Sequence, residues 1–221
     1  MVRSVLCYGD SNTYGQTTAN TPDDRYPLDV RWPGVMRKLL GDGWLVIEEG
    51  LSGRCTVNDD PIEGADKNGR TYLRPCIMSH KPLDLVIIML GTNDLKARFH
   101  KSASEIAMGV GALVSDIKSM PAGIDGALPE ILIVAPPPVA DDLKEWQDVF
   151  EGAQEKSAQF AHYFERLAEA QEVHFFNSGL IVSSSAEDGF HLDIVDHIKL
   201  GHAMYEEVQS IGWEDDQASV V

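Results

Sequence analysis

The chain has 221 residues, 43% of them hydrophobic, so one sizeable core can bury roughly 70% of the unfolded surface without disulfides or a structural metal. Lysine and arginine total 18 against 35 aspartates and glutamates, a net charge of −17. That balance excludes a phosphate-dominated partner, so neither nucleic acid nor an anionic membrane surface suits it.

The three cysteines, Cys7, Cys55 and Cys76, lack the short spacing of a zinc knuckle or redox pair. They read as buried, reduced thiols, and the chain as a soluble cytoplasmic protein. Its first apolar run is too short for a signal peptide, and the longest, residues 85–90, is far short of a membrane span.

In chain order, residues 5–8 read as a strand that runs directly into Gly9-Asp10-Ser11-Asn12-Thr13. Arg31-Trp32-Pro33 opens a helix, with proline near its first turn, and Gly41 ends it. Residues 44–47 form a second strand, and residues 52–69, rich in Asp, Asn, Gly and Pro, read as a long surface loop. Residues 85–90 are apolar throughout, as in a parallel strand covered on both faces, and Gly91-Thr92-Asn93-Asp94 follows.

Helical spacing of Ile106, Val110, Leu113, Val114 and Ile117 marks a helix over 104–120. A strand at 131–135 is stopped by Pro136-Pro137-Pro138, and Trp146, Val149, Phe150 and Ala153 then recur at helical spacing. A helix over 150–170, a strand at 173–176 and a helix over 194–211 complete the order, and 213–221 reads as a frayed acidic tail beyond a domain of residues 1–212. Strands alternating with helices predict an α/β domain, three layers deep, with a mainly parallel sheet of about five strands.

Open α/β sheets bind ligands at the carboxyl ends of their strands, which is where Ser11 and Asn93 fall. Read alone, Gly9-Asp10-Ser11 is an ordinary turn and Asn93 a helix cap or Asx-turn. Asp188-Gly189-Phe190-His191 precedes the last helix. A carboxylate three residues before an imidazole, with glycine between, can curl back to accept Nδ1–H and leave Nε2 free as a base. His191, Asp193 and His197 offer a rival reading as metal ligands, and Asp193 alternatively caps the last helix. Gly109-Val110-Gly111 follows no strand, so it reads as close helix packing, not a dinucleotide fingerprint.

Taken in order, these blocks resemble the SGNH (GDSL-type) serine hydrolases, whose four invariant residues match Ser11, Gly53, Asn93 and His191, with Asp188 completing a triad. The segments Asp29-Val30-Arg31-Trp32, 83–90 and 135–138 are similar to the bacterial arylesterase branch, which includes acyltransferases and perhydrolases. The resemblance implies a flavodoxin-like fold and a serine esterase that needs no cofactor or metal. Its nucleophile would be Ser11 and its base His191. Ser11 N–H, Gly53 N–H and the Asn93 amide would hold the oxyanion.

It also implies small, acetyl-type aryl or alkyl esters as substrates and a homo-oligomer as the assembly. Asn12, where the motif often has Leu, is placed by it among substrate contacts. The helical stripe Trp146, Val149, Phe150 and Ala153 itself reads as core or an oligomer seam, or with Phe150 as part of the wall of the acyl pocket. A carbohydrate O-deacetylase and a non-catalytic ligand-binding protein remain as alternatives.

Overall fold

The computed structural model describes residues 2–19 and 24–213. Five strands, β1 (Arg3–Gly9), β2 (Trp44–Gly50), β3 (Leu85–Met89), β4 (Glu130–Ala135) and β5 (His174–Asn177), form one sheet in the order β2-β1-β3-β4-β5. Every pairing is parallel; Val5, for instance, lies between Val46 and Leu85. Among the described residues, seven α-helices connect or flank them: α1 (Ser11–Tyr14), α2 (Trp32–Leu40), α3 (Gly69–His80), α4 (Ala103–Lys118), α5 (Ala153–Ser157), α6 (Phe160–Gln171) and α7 (Ile194–Ser210).

The strands are apolar on both faces because helices cover both. Leu6, Tyr8, Val86, Ile88, Ile131 and Ile133 pack with α3, α4 and α6 through residues such as Leu73, Leu113 and Phe164. Their alternating neighbours Val5, Cys7, Leu85, Ile87, Leu132 and Val134 pack with α2 and α7 through Trp32, Met36, Leu200 and Met204. This is the three-layer arrangement the alternation of elements predicts. The chain leaves β1 for β2 on one side and returns to β3 on the other, so the order reverses at β1. Ligand sites of open parallel sheets form at such a reversal, beyond the carboxyl ends of the strands.

Two expectations need correction. The apolar stripe 146–153 is not one helix: Gly152 within it has positive φ (74°), and the segment runs from the end of a 3₁₀ turn through a loop to the start of the short α5. Helix α3 is an addition, carrying buried Leu73, Cys76 and Ile77 where the sequence reading placed no element. At the C-terminus, Trp213 is docked, its indole edge-on to Trp44 and its Nε1–H donating to Val208 O (2.8 Å); the rest of the expected tail, 214–221, lies outside the described residues. Among the described residues, no helix is long and apolar enough to cross a membrane.

Candidate active site

Three loops at the carboxyl ends of β1, β2 and β3 meet above the sheet. Asp10 caps α1, its Oδ1 accepting from Asn12 N–H (3.0 Å), which places Ser11 at the first helical position. The loop after β2 is tied to β1 by Leu51 N–H to Gly9 O (3.1 Å) and by Arg54 Nη1–H to the same carbonyl (3.0 Å), with the guanidinium 4.2 Å over the Tyr8 ring. Gly53 in this loop has φ +83°, a backbone conformation that favours glycine, and a Cβ there would have to displace the carboxylate end of Glu63.

After β3, a 3₁₀ turn (Thr92–Leu95) presents Asn93. The next residue, Asp94, reaches across to the β2 loop and accepts from Thr56 N–H (2.9 Å), Thr56 Oγ1–H (2.6 Å) and Asn58 Nδ2–H (2.7 Å). One carboxylate thereby fixes the Gly53 loop against the Asn93 turn.

The fourth segment precedes α7. Gly189 has φ +91°, and the chain folds back so that Asp188 Oδ2 meets His191 Nδ1 at 2.6 Å, both residues being buried. Asp188 Oδ1 also accepts from the N–H groups of Phe190 and His191 (2.9 and 3.0 Å). Burial pushes the Asp188 carboxyl up, but His191 and these N–H groups outweigh it and hold the pKa below the ordinary value.

Ser11, Gly53, Asn93 and His191 all line one cavity of about 220 Å³. Its apolar wall is Trp146, Phe150 and Phe190, and its polar wall includes Gln16, Ser52, Glu63 and Lys96. That volume is below the roughly 300–1,000 Å³ of pockets for drug-sized ligands, so it admits a small group.

The profile of the GDSL-like lipase/acylhydrolase family matches residues 7–206, from within β1 to within α7. This chain belongs to that family. No curated protein matches it. Among solved structures it is similar to Est24, a carbohydrate acetylesterase from Sinorhizobium meliloti, at 45% identity and TM-score 0.90, covering 95% of this chain and all of that one. An aryl esterase from M. smegmatis is 40% identical with TM-score 0.90, covering 96% of this chain and all of the other. A further S. meliloti member of the carbohydrate acetylesterases is 36% identical with TM-score 0.88, over 94% and 98% of the two chains.

Within this GDSL-family site, the five residues expected for the triad and oxyanion converge, and Phe150 joins them as part of the cavity wall, its ring 4.5 Å from that of Phe190. Asn12 does not. It is 3% exposed, lies outside the cavity, and spends its amide on the backbone of Phe190 and Leu192. The rival metal ligands are not brought together either. Fully buried His197 accepts the Trp32 N–H (3.3 Å) at Nδ1, and burial, with His191 and Arg31 adding to it, pushes its pKa down to about 3.

Asp193 occupies the cap position of α7 without a side-chain capping bond. Among the described residues the one cluster at metal-ligand spacing is Glu49, Cys76 and His80, which includes none of the three. The polar wall went unread in the sequence: Glu63 belongs to the acidic loop, while nothing near Lys96 marks it as a cavity residue.

Proposed function

We propose that this chain is a serine esterase that acts on small, acetyl-type esters through an acyl-enzyme. The observation that carries the reading is the 2.6 Å Asp188–His191 pair beside a cavity shared with Ser11, Gly53 and Asn93. Family membership and the aryl esterase and carbohydrate acetylesterase relatives support it.

In this mechanism Ser11 Oγ attacks the ester carbonyl carbon while His191 Nε2 takes the hydroxyl proton. Asp188 holds His191 in the tautomer with Nε2 free and stabilises the imidazolium that forms. The tetrahedral oxyanion accepts from Ser11 N–H, Gly53 N–H and Asn93 Nδ2–H. Collapse breaks the bond to the alcohol, which leaves with the proton from His191. Water then attacks the acyl-enzyme with His191 again as base, releasing the acid and restoring Ser11. An alcohol or hydrogen peroxide in place of that water makes the same site an acyltransferase or perhydrolase.

A second reading, deacetylation of carbohydrate, is favoured by the polar wall of Gln16, Ser52, Glu63 and Lys96, which offers partners for substrate hydroxyls. We also infer a homo-oligomer, consistent with exposed Ile194, Val195 and Ile198 at the start of α7, and a cytoplasmic location, consistent with three free, buried cysteines. Light scattering tests the assembly.

The deciding experiment is a p-nitrophenyl ester chain-length series run beside acetylated sugars. Ser11→Ala should abolish turnover and labelling by an active-site serine reagent. Asn93→Ala, missing one oxyanion donor, should lose about a hundred- to a thousand-fold in kcat and keep measurable activity. Retention of near-native rates by Ser11→Ala would end the proposal.

A further inference from the structure

Asn12 follows Ser11 in the sequence, yet its amide faces the segment that carries His191. That segment is irregular, so its backbone groups can be accounted for one by one. Gly189 N–H donates to Ser185 O (2.9 Å), and Gly189 O accepts from Ala140 N–H (2.9 Å). Phe190 and His191 N–H both go to Asp188 Oδ1, and His191 O accepts from Ser185 N–H (2.8 Å). The two groups that flank His191, Phe190 O and Leu192 N–H, both go to Asn12. Its Nδ2–H donates to Phe190 O (3.1 Å), and its Oδ1 accepts from Leu192 N–H (3.0 Å).

Every other partner in that account lies between Ala140 and Asp188. Asn12 alone comes from the nucleophile's own turn, where its N–H is in turn held by Asp10. We infer that Asn12 is a positioning residue that sets the placement of His191 relative to Ser11, and that it does not contact substrate. The inference rests on the roles proposed above for those two residues. In this chain an amide serves both groups, because Leu192 N–H must give a hydrogen bond and Phe190 O must accept one. A leucine of similar size would leave Phe190 O and Leu192 N–H buried without partners, so the segment would shift or admit water. The consequence falls on proton transfer, which needs His191 Nε2 within hydrogen-bond reach of Ser11 Oγ; a 1 Å misplacement can cost about a hundredfold in rate.

Phosphonylation of Ser11 by a small fluorophosphonate isolates nucleophile and base from the ester's own contacts. For Asn12→Leu, measured well below its thermal midpoint, the second-order rate should fall about ten- to a hundredfold. KM for a small neutral ester should stay within about twofold, since no substrate contact is lost. The far-downfield proton resonance of His191 Nδ1–H should shift or be lost to exchange.

Asn12→Asp keeps the shape and the acceptor for Leu192 N–H but not the donor, so its rate should fall between the two; it tests the same point should the leucine variant not fold. A folded variant with the wild-type rate and resonance overturns the inference, as does one that loses thermal stability alone. A raised KM with unchanged phosphonylation overturns it too, by returning Asn12 to substrate contact. Failure of the underlying reading is a separate outcome: wild-type protein unlabelled at Ser11, or Ser11→Ala still hydrolysing esters.

Discussion

Asp10 and Asp94, the acidic neighbours of Ser11 and Asn93, are both buried, and burial pushes each carboxyl up from 3.8 to about 6. Asp10 Oδ2 has no hydrogen-bond partner, while Asp94 is partly compensated by Thr56 and Asn58 and further raised by Asp10 itself. Between pH 4 and 6 the native state holds protons that the unfolded chain has released, so these two residues cost stability as pH rises through that window. Asp60 acts in the opposite sense. Burial is outweighed there by the N–H groups of Glu63 and Ile62 and by Arg98 and Lys96, which bring the pKa to about 2, so its contribution is lost only as pH falls below 4. The thermal midpoint should therefore rise by about 5 °C from pH 7 to pH 5, which corresponds to about 2 kcal/mol for a chain of this size, and fall again below pH 4. Asn at position 10 can still cap α1, so Asp10→Asn should roughly halve the rise between pH 7 and 5. A midpoint that falls steadily from pH 7 would contradict the assignment.

The Gly53 and Asn93 segments depend on an element outside the sheet's carboxyl edge. Gly109 lies in α4, and a Cβ there would come 2.4 Å from Thr56 Oγ1, the hydroxyl that donates to Asp94. Gly111, two residues on, faces α6, where a Cβ would meet the flexible end of Leu167 at 2.8 Å. Both substitutions to alanine gain about 1 kcal/mol of helix propensity. At Gly111 that gain offsets a side-chain adjustment, and stability should change by less than about 1 kcal/mol. At Gly109 the overlap falls on a hydrogen-bonded loop, so Gly109→Ala should destabilise by about 1–3 kcal/mol and lower kcat, read by denaturant unfolding and ester turnover.

The same elements show how far the sequence could be read. Strands and long helices were legible because two-sided burial leaves unbroken apolar runs such as 85–90, and α4 carries a full helical stripe. The stripe at 146–153 signalled burial correctly but not conformation: Phe150 and Ala153 do reach the core, over a chain path that positive φ at Gly152 makes irregular. Helix α3 was obscured because its buried positions are few and Pro75 interrupts it. The residues that converge on the cavity stood out in order along the chain, since each lies at a strand end or before α7. What Asn12 and Asp94 do was not legible, because their partners lie up to 180 residues away in sequence.

At the scale of the whole molecule, the net charge of −17 is not concentrated at the site. The stretch 42–66 holds seven acids against one base, Arg54, yet most of them are matched in space. Glu48 meets Arg25 and Arg31, Asp66 meets Lys67, and Asp60 and Glu63 share Lys96 and Arg98. An anionic ester therefore meets no uncompensated acidic cluster in the cavity; it meets the diffuse field of the remaining surface. A diffuse field acts on encounter and is screened within a Debye length, about 10 Å at 0.1 M salt and about 3 Å at 1 M. Matched neutral and anionic acetyl esters should then differ several-fold in kcat/KM at about 10 mM salt, converging by about 0.5 M, with kcat little changed. A preference that survived high salt would place the discrimination in the cavity wall, with Glu63 the first residue to substitute. Equal rates at low salt would mean that Lys96 offsets the surface field at the mouth of the site.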